Sequence, residues 1–130
     1  MIFTIEGEPK GKQRPRFNSV TRKTYTPTET RAYEKRVKYG YVMGGGKIIE
    51  GAVKLEVWAF CKIPTSISKK RAQAMTGTPA TKKPDIDNIL KIIQDGLTGV
   101  AYADDKQVTE VIVHKNYWPE AKVVIDVTEA

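Results

Sequence analysis

Apolar residues at Ile86, Ile89, Leu90, Ile93 and Leu97 recur at the i, i+3, i+4, i+7 spacing of a helix with one buried face. The spacing predicts a helix over residues 87–97. Pro84 biases Lys83 towards extended backbone, so Asp85 or Asp87 is the natural N-cap. Upstream, Val53, Leu55, Val57 and Ala59 alternate with Lys54, Glu56, Trp58 and Phe60. That period of two predicts a strand over residues 51–63, central in its sheet and covered on both sides in its second half. Ile2, Phe3 and Ile5 mark a first strand over residues 1–6, and residues 17–25 read as a short hairpin. Thr26-Pro27-Thr28-Glu29 is a capping box with proline at the first helical position. The helix it opens runs to about Val42, buries Tyr33, Val37 and Tyr41, and stops at Gly44-Gly45-Gly46. Ser66 or Ser68 caps a short helix over residues 69–75, and residues 76–83 read as a mobile loop. Residues 107–115 and 121–128 read as an antiparallel hairpin turning at residues 116–120. Together these elements predict one α+β domain over residues 1–130, a mixed β-sheet with helices packed on it.

Charge adds a direction to this picture. The 130 residues carry a net charge of +7, and the surplus is unevenly spread. Residues 10–41 hold ten Lys/Arg against two acids, and residues 62–83 hold six against none. From Pro84 onward the balance reverses to nine acids and four bases. A basic front followed by an acidic segment suits a chain that holds phosphates against a carboxylate site. The single cysteine, Cys61, excludes an intramolecular disulfide and a cysteine-based zinc site. With no signal-like segment and no apolar run of membrane-spanning length, the expectation is a soluble, cytoplasmic protein.

The candidate chemistry lies around the predicted helix start. Asp85 and Asp87 flank the change from extended to helical backbone, where two side chains can converge on one point. Close like charges either raise a pKa or recruit a cation. Asp104 and Asp105 end the loop that leaves the helix, so the fold can return one of them to its start. Three carboxylates plus water form the oxygen-rich setting preferred by Mg2+ or Mn2+. The competing reading makes Asp85 a cap, Asp87 a first-turn acid and Asp87–Lys91 an ordinary i, i+4 ion pair.

The run Lys83-Pro84-Asp85-Ile86-Asp87-Asn88-Ile89-Leu90-Lys91, then Asp95-Gly-Leu and Gly99-Val-Ala-Tyr-Ala-Asp104-Asp105-Lys-Gln107-Val, closely resembles the signature of the RusA family of Holliday-junction resolvases. Gly7-Glu-Pro-Lys-Gly-Lys-Gln-Arg-Pro-Arg-Phe17 resembles that family's basic opening segment. The resemblance implies a small, homodimeric, Mg2+-dependent endodeoxyribonuclease, with Mn2+ possible, that resolves four-way DNA by paired symmetric nicks in recombination and repair. It implies Asp85, Asp87 and Asp105 as metal ligands, with Asp104 the alternative to Asp105, and Lys91 as a catalytic cation. DNA would lie on Lys10, Lys12, Arg14, Arg16, Arg22, Lys23, Arg31, Lys35, Lys82 and Lys83.

Other chemistries find little support. His114 is the only histidine, it reads as a strand residue, and no Gly-x-Ser-x-Gly elbow exists. No phosphate-binding Gly-x-x-x-x-Gly-Lys-Ser/Thr loop is present, so no nucleotide cofactor is expected. The remaining alternatives are a non-catalytic DNA-binding module of recombination or phage DNA metabolism and, less well matched to so basic a front, a Mg2+-dependent phosphohydrolase with an aspartate nucleophile.

Overall fold

The computed structural model describes every residue except Thr26, and for Arg16 the backbone alone. The sheet has the order β1-β6-β4-β5, built from β1 (Ile2–Glu6), β4 (Val53–Lys62), β5 (Val108–Trp118) and β6 (Lys122–Glu129). β2 (Arg16–Asn18) and β3 (Lys23–Tyr25) pair with each other as a separate hairpin. The helices are α1 (Thr28–Met43), α2 (Lys69–Met75) and α3 (Ile86–Leu97), and a short 3-10 turn covers Asp105–Gln107. The predicted α+β domain with a mixed sheet is therefore the fold observed.

β4 is central, as its alternation predicts. Val53, Leu55, Val57 and Ala59 are buried beneath α1 and α3, where Tyr33, Val37, Tyr41, Ile89, Ile92, Ile93 and Leu97 complete the core; Cys61 is buried outside that cluster. Coverage of both faces is not observed. Trp58 and Phe60 are only half-buried, shielded by neighbours in the sheet rather than by a second layer: Trp58 stacks on His114 and Phe60 tilts against Trp118.

The predicted hairpin of the last two strands is also corrected. β4 lies between them, parallel to β5 and antiparallel to β6. β5 runs on to Trp118, leaving only Pro119, Glu120 and Ala121 to step across the end of β4. Two strand spacings are about 9–10 Å, within reach of three extended residues. The sequence pattern sees two strands and a short link, and that link is compatible with both arrangements.

Residues 76–81 are pinned rather than loose. Gly77 and Ala80 donate backbone hydrogen bonds to the carbonyls of Tyr117 and Lys115, and Tyr117 donates to Thr78. The free edge of β5 supplied unpaired groups that this segment satisfies. The Thr26 cap lies outside the described residues. α1 begins at Thr28 with Pro27 at its N-cap and no side-chain cap bond, one position later than predicted.

α1 and α3 cross closely at Gly96, where an added Cβ would stand 2.8 Å from Val37 Cβ and 2.9 Å from the Glu34 carbonyl oxygen. Near this crossing, burial pushes the Tyr33 hydroxyl up to about 12, partly countered by Arg36. That hydroxyl has no hydrogen-bond partner among the described residues. Between pH 10 and 12 the unfolded chain loses this proton while the folded one keeps it, so stability falls as pH rises. Tyr33→Phe is expected to leave neutral-pH stability unchanged or slightly raised, and to lessen the loss at pH 12 by on the order of 2 kcal/mol. Denaturant melts at pH 7 and pH 11–12 measure both.

Candidate active site on the polar face of α3

α3 buries Ile89, Ile92, Ile93, Gly96 and Leu97, which turns Asp87, Lys91 and Asp95 outward at successive i, i+4 positions. Asp85 is the N-cap by backbone geometry, yet its side chain makes no cap bond. Neither Asp85 nor Asp87 has an ion-pair or side-chain hydrogen-bond partner among the described residues, and both are exposed. The start of the helix favours such negative charge and leaves both carboxylates free to take a cation.

The loop after α3 returns the second acid pair alongside the helix. Tyr102 is fully buried and donates its hydroxyl hydrogen to the Gln94 carbonyl at 2.9 Å, while the Gly99 amide donates to the Tyr102 carbonyl at 2.7 Å. Gln107 fastens the next turn, accepting from the amides of Ala103 and Asp104 and donating to the carbonyls of Ile49 and Gly51. Asp104 and Asp105 are thereby separated in role. Asp104 caps the turn by accepting from the Lys106 amide, the main cause that holds its carboxyl below the ordinary range, followed by its hydrogen bond with Asp105. Asp105 instead faces Lys91 at 3.8 Å.

Lys91 does not pair with Asp87. It reaches Asp95 at 3.3 Å as well as Asp105. Asp95 is shared: its other oxygen lies 2.9 Å from Lys12, which also meets Glu34 at 2.5 Å. Lys12 was expected to face phosphate, and its ammonium is turned inward onto these carboxylates. Burial pulls its pKa down, but the hydrogen bonds to Glu34 and Asp95 more than offset this and hold it above the ordinary lysine value. Lys12 also forms the ridge between two hollows. One of about 470 Å³ holds Glu34, Asp95, Asp104 and Asp105, and one of about 460 Å³ holds Asp85, Asn88 and Lys83. Asp87 lines neither.

The donor set fits a hard divalent cation, being all oxygen with two unneutralised carboxylates. Among the described residues, however, no three acidic, cysteine or histidine side chains are gathered closely enough to hold an ion. Asp85 and Asp87 are free to change rotamer, since neither carboxylate is held by a partner among the described residues.

Of the remaining predicted cations, Lys10, Arg14, Arg22, Lys23, Arg31, Lys35 and Lys83 are exposed, and the side chain of Arg16 lies outside the described residues. Lys82 is 3.9 Å from Glu8. Sequence reasoning missed Lys115, whose ammonium donates to the carbonyls of Lys82 and Pro84 and so fixes the approach to Asp85. It also missed Glu34 and Gln107. A polar side chain in a predicted helix or strand gives no hint of a partner so distant in sequence. His114 lies on the helix-free face of the sheet, its Nε2 3.0 Å from Glu56. Among the described residues no helix is long and apolar enough to cross a membrane.

A family model described as Endodeoxyribonuclease RusA matches residues 6–128. The chain belongs to the RusA family. It is also 32% identical over 134 residues to the Uncharacterized protein YqaN of Bacillus subtilis (strain 168), covering 98% of this chain and 94% of that protein. In this RusA-family chain, the basic opening segment and the acidic helix start are held together by direct contact.

That contact depends on Gly11. A Cβ there would stand 2.8 Å from Pro84 Cβ and 3.2 Å from Asn88 Cβ, while the Lys12 amide donates to the Asn88 carbonyl at 2.9 Å. Gly11→Ala is expected to lift the segment off α3 and cut hydrogen-exchange protection of the Lys12 amide by about tenfold or more, with the sheet amides unaffected. Equal protection in the variant refutes this docking.

Proposed function

We propose that this chain is a structure-selective endodeoxyribonuclease that resolves four-way DNA junctions by paired symmetric nicks in recombination and repair. The observation that carries the reading is the pair of unneutralised carboxylates, Asp85 and Asp87, at the start of α3 beside a docked segment rich in exposed cations. Family membership supports the same reaction class.

Asp85, Asp87 and Asp105 would hold Mg2+ or Mn2+; Asp104 is the weaker candidate because its carboxylate is engaged as a cap. A bound ion of this kind lowers the pKa of water and polarises a phosphoryl oxygen. The chain's own groups position the DNA around it. Lys10, Arg14, Arg22, Lys23, Arg31, Lys35, Lys82 and Lys83, together with Arg16, carry the backbone phosphates. Lys12 anchors the segment that presents them. Lys91, held by Asp95, sets a positive charge beside Asp105, where negative charge builds on the phosphate during cleavage.

Two nicks related by a two-fold axis need two sites, and each chain carries one acid cluster, so the working unit is a C2 homodimer. The helix-free face of the sheet supports this. Trp58, Phe60 and Trp118 lie there half-covered, with Ile2 and Ile112 also exposed. Burying such a patch is the usual basis of an obligate dimer.

Incubating a labelled synthetic four-way junction with Mg2+, with and without EDTA, tests the central reading: metal-dependent paired nicks are expected. Junction binding without nicking under any divalent metal would instead identify a non-catalytic DNA-binding module. Asp85→Asn, Asp87→Asn and Asp105→Asn are each expected to cut at least about 100-fold more slowly while binding the junction, and Asp104→Asn to retain most activity. The reverse result for Asp104 and Asp105 exchanges their roles. Lys91→Ala is expected to lose about tenfold or more in rate with unchanged binding; a mere two-fold loss leaves it as an ion-pair partner only. Light scattering of the native protein is expected to give a dimer and of Trp58→Glu a monomer, and a native monomer that still makes paired nicks removes the dimer.

A further inference from the structure

The β2–β3 hairpin buries almost nothing, and the described side chains along it are exposed. Its largest are aromatic: Phe17 is 63% and Tyr25 48% exposed. An isolated two-stranded hairpin is marginal in water, so one that leaves aromatic rings uncovered is suited to a partner. Residues 10–28 around it contain six Lys/Arg and no acid; Lys12 is turned inward and Glu29 follows at the edge, but the exposed Lys10, Arg14, Arg22 and Lys23 leave a positive surplus whose complement is a polyanion.

The two rings occupy different places. Phe17 pairs with Thr24 and Tyr25 with Arg16, and neighbouring positions on a strand alternate, so Phe17 and Tyr25 lie on opposite faces of the ribbon. Tyr25 lines a hollow of about 280 Å³ together with Gln13, Pro27, Thr28 and Glu29. Gln13 also lines the hollow that contains Asp85 and Lys83. A continuous surface therefore runs from the free carboxylate at the start of α3, past Gln13, to the Tyr25 ring. Lys23, two residues before Tyr25, shares its face of the ribbon.

We propose that Tyr25 is a stacking platform for an unstacked nucleobase of branched DNA, placed one groove away from the acids of α3. This rests on the nuclease reading for the identity of the substrate and adds what that reading lacks, a feature that tells a branch point from a plain duplex. Duplex DNA keeps its bases stacked inside, and phosphate contacts alone do not distinguish it from a junction arm. At a branch point bases can splay out, and an aromatic ring accepts any of them because every base has a π-face. The phenol hydroxyl is not required for this.

Binding is measured in EDTA, so the test does not depend on cleavage. Full-length wild type, Tyr25→Ala, Tyr25→Phe and Phe17→Ala are titrated with a four-way junction and with a linear duplex of the same sequence, and 2-aminopurine at the branch point reports unstacking. Tyr25→Ala is expected to weaken junction binding by about tenfold while duplex binding changes less than about two-fold, and to abolish the protein-induced rise in 2-aminopurine fluorescence. Tyr25→Phe and Phe17→Ala are expected to retain both. Equal losses on junction and duplex overturn the proposal, as do equal losses from Tyr25→Ala and Phe17→Ala. A Tyr25→Ala protein that turns monomeric in light scattering assigns the ring to contact between copies and also overturns it. A protein that discriminates junctions through Tyr25 but never nicks them with Mg2+ keeps this inference and removes the nuclease reading.

Discussion

One carboxylate holds the candidate site together. Asp95 presents its two oxygens to two ammonium groups, Lys12 from the opening segment and Lys91 from the polar face of its own helix. Ion pairs on a surface usually contribute little, because water screens them and long side chains lose entropy on ordering. Here all three groups are at least half covered, Lys12 the most, and Glu34 supplies a second acid. The contact therefore does more to fix geometry than to stabilise the fold. It sets where the cationic segment begins relative to α3, and it gives Lys91 a second partner beside Asp105.

Helix packing makes that arrangement possible. Gly96 lets α1 approach α3 closely enough for Glu34 to face Asp95 across Lys12, with Val37 against the missing side chain. The half-buried lysine is thus tied to a close backbone crossing. Tyr102 does the same work on the other side, filling the core so that its loop brings the exposed Asp105 to within 3.8 Å of Lys91.

The legibility of the sequence followed the range of the interactions. α3, its polar face and the acids at its start were readable because helical periodicity and capping act over a few residues. β4 was readable because its alternation is long and strict. The partner of β5 was not, since the choice between a hairpin and a strand slipped between β5 and β6 depends on a segment far upstream. The inward turn of Lys12 was hidden for the same reason: Glu34 and Asp95 belong to two different helices, and neither is near Lys12 in the chain. Asp104 and Asp105 were distinguishable only by the resemblance until the Gln107 side chain gave the turn its shape.

The segment pinned along β5 has a further consequence for the protein at high concentration. Gly77, Thr78 and Ala80 occupy the Lys115–Tyr117 end of that edge, while among the described residues the earlier part of β5 and the outer side of β1 have no strand beside them. A foreign strand adding along β5 is therefore stopped short of Lys115, which leaves it a shorter stretch of backbone to hold than the full strand would offer.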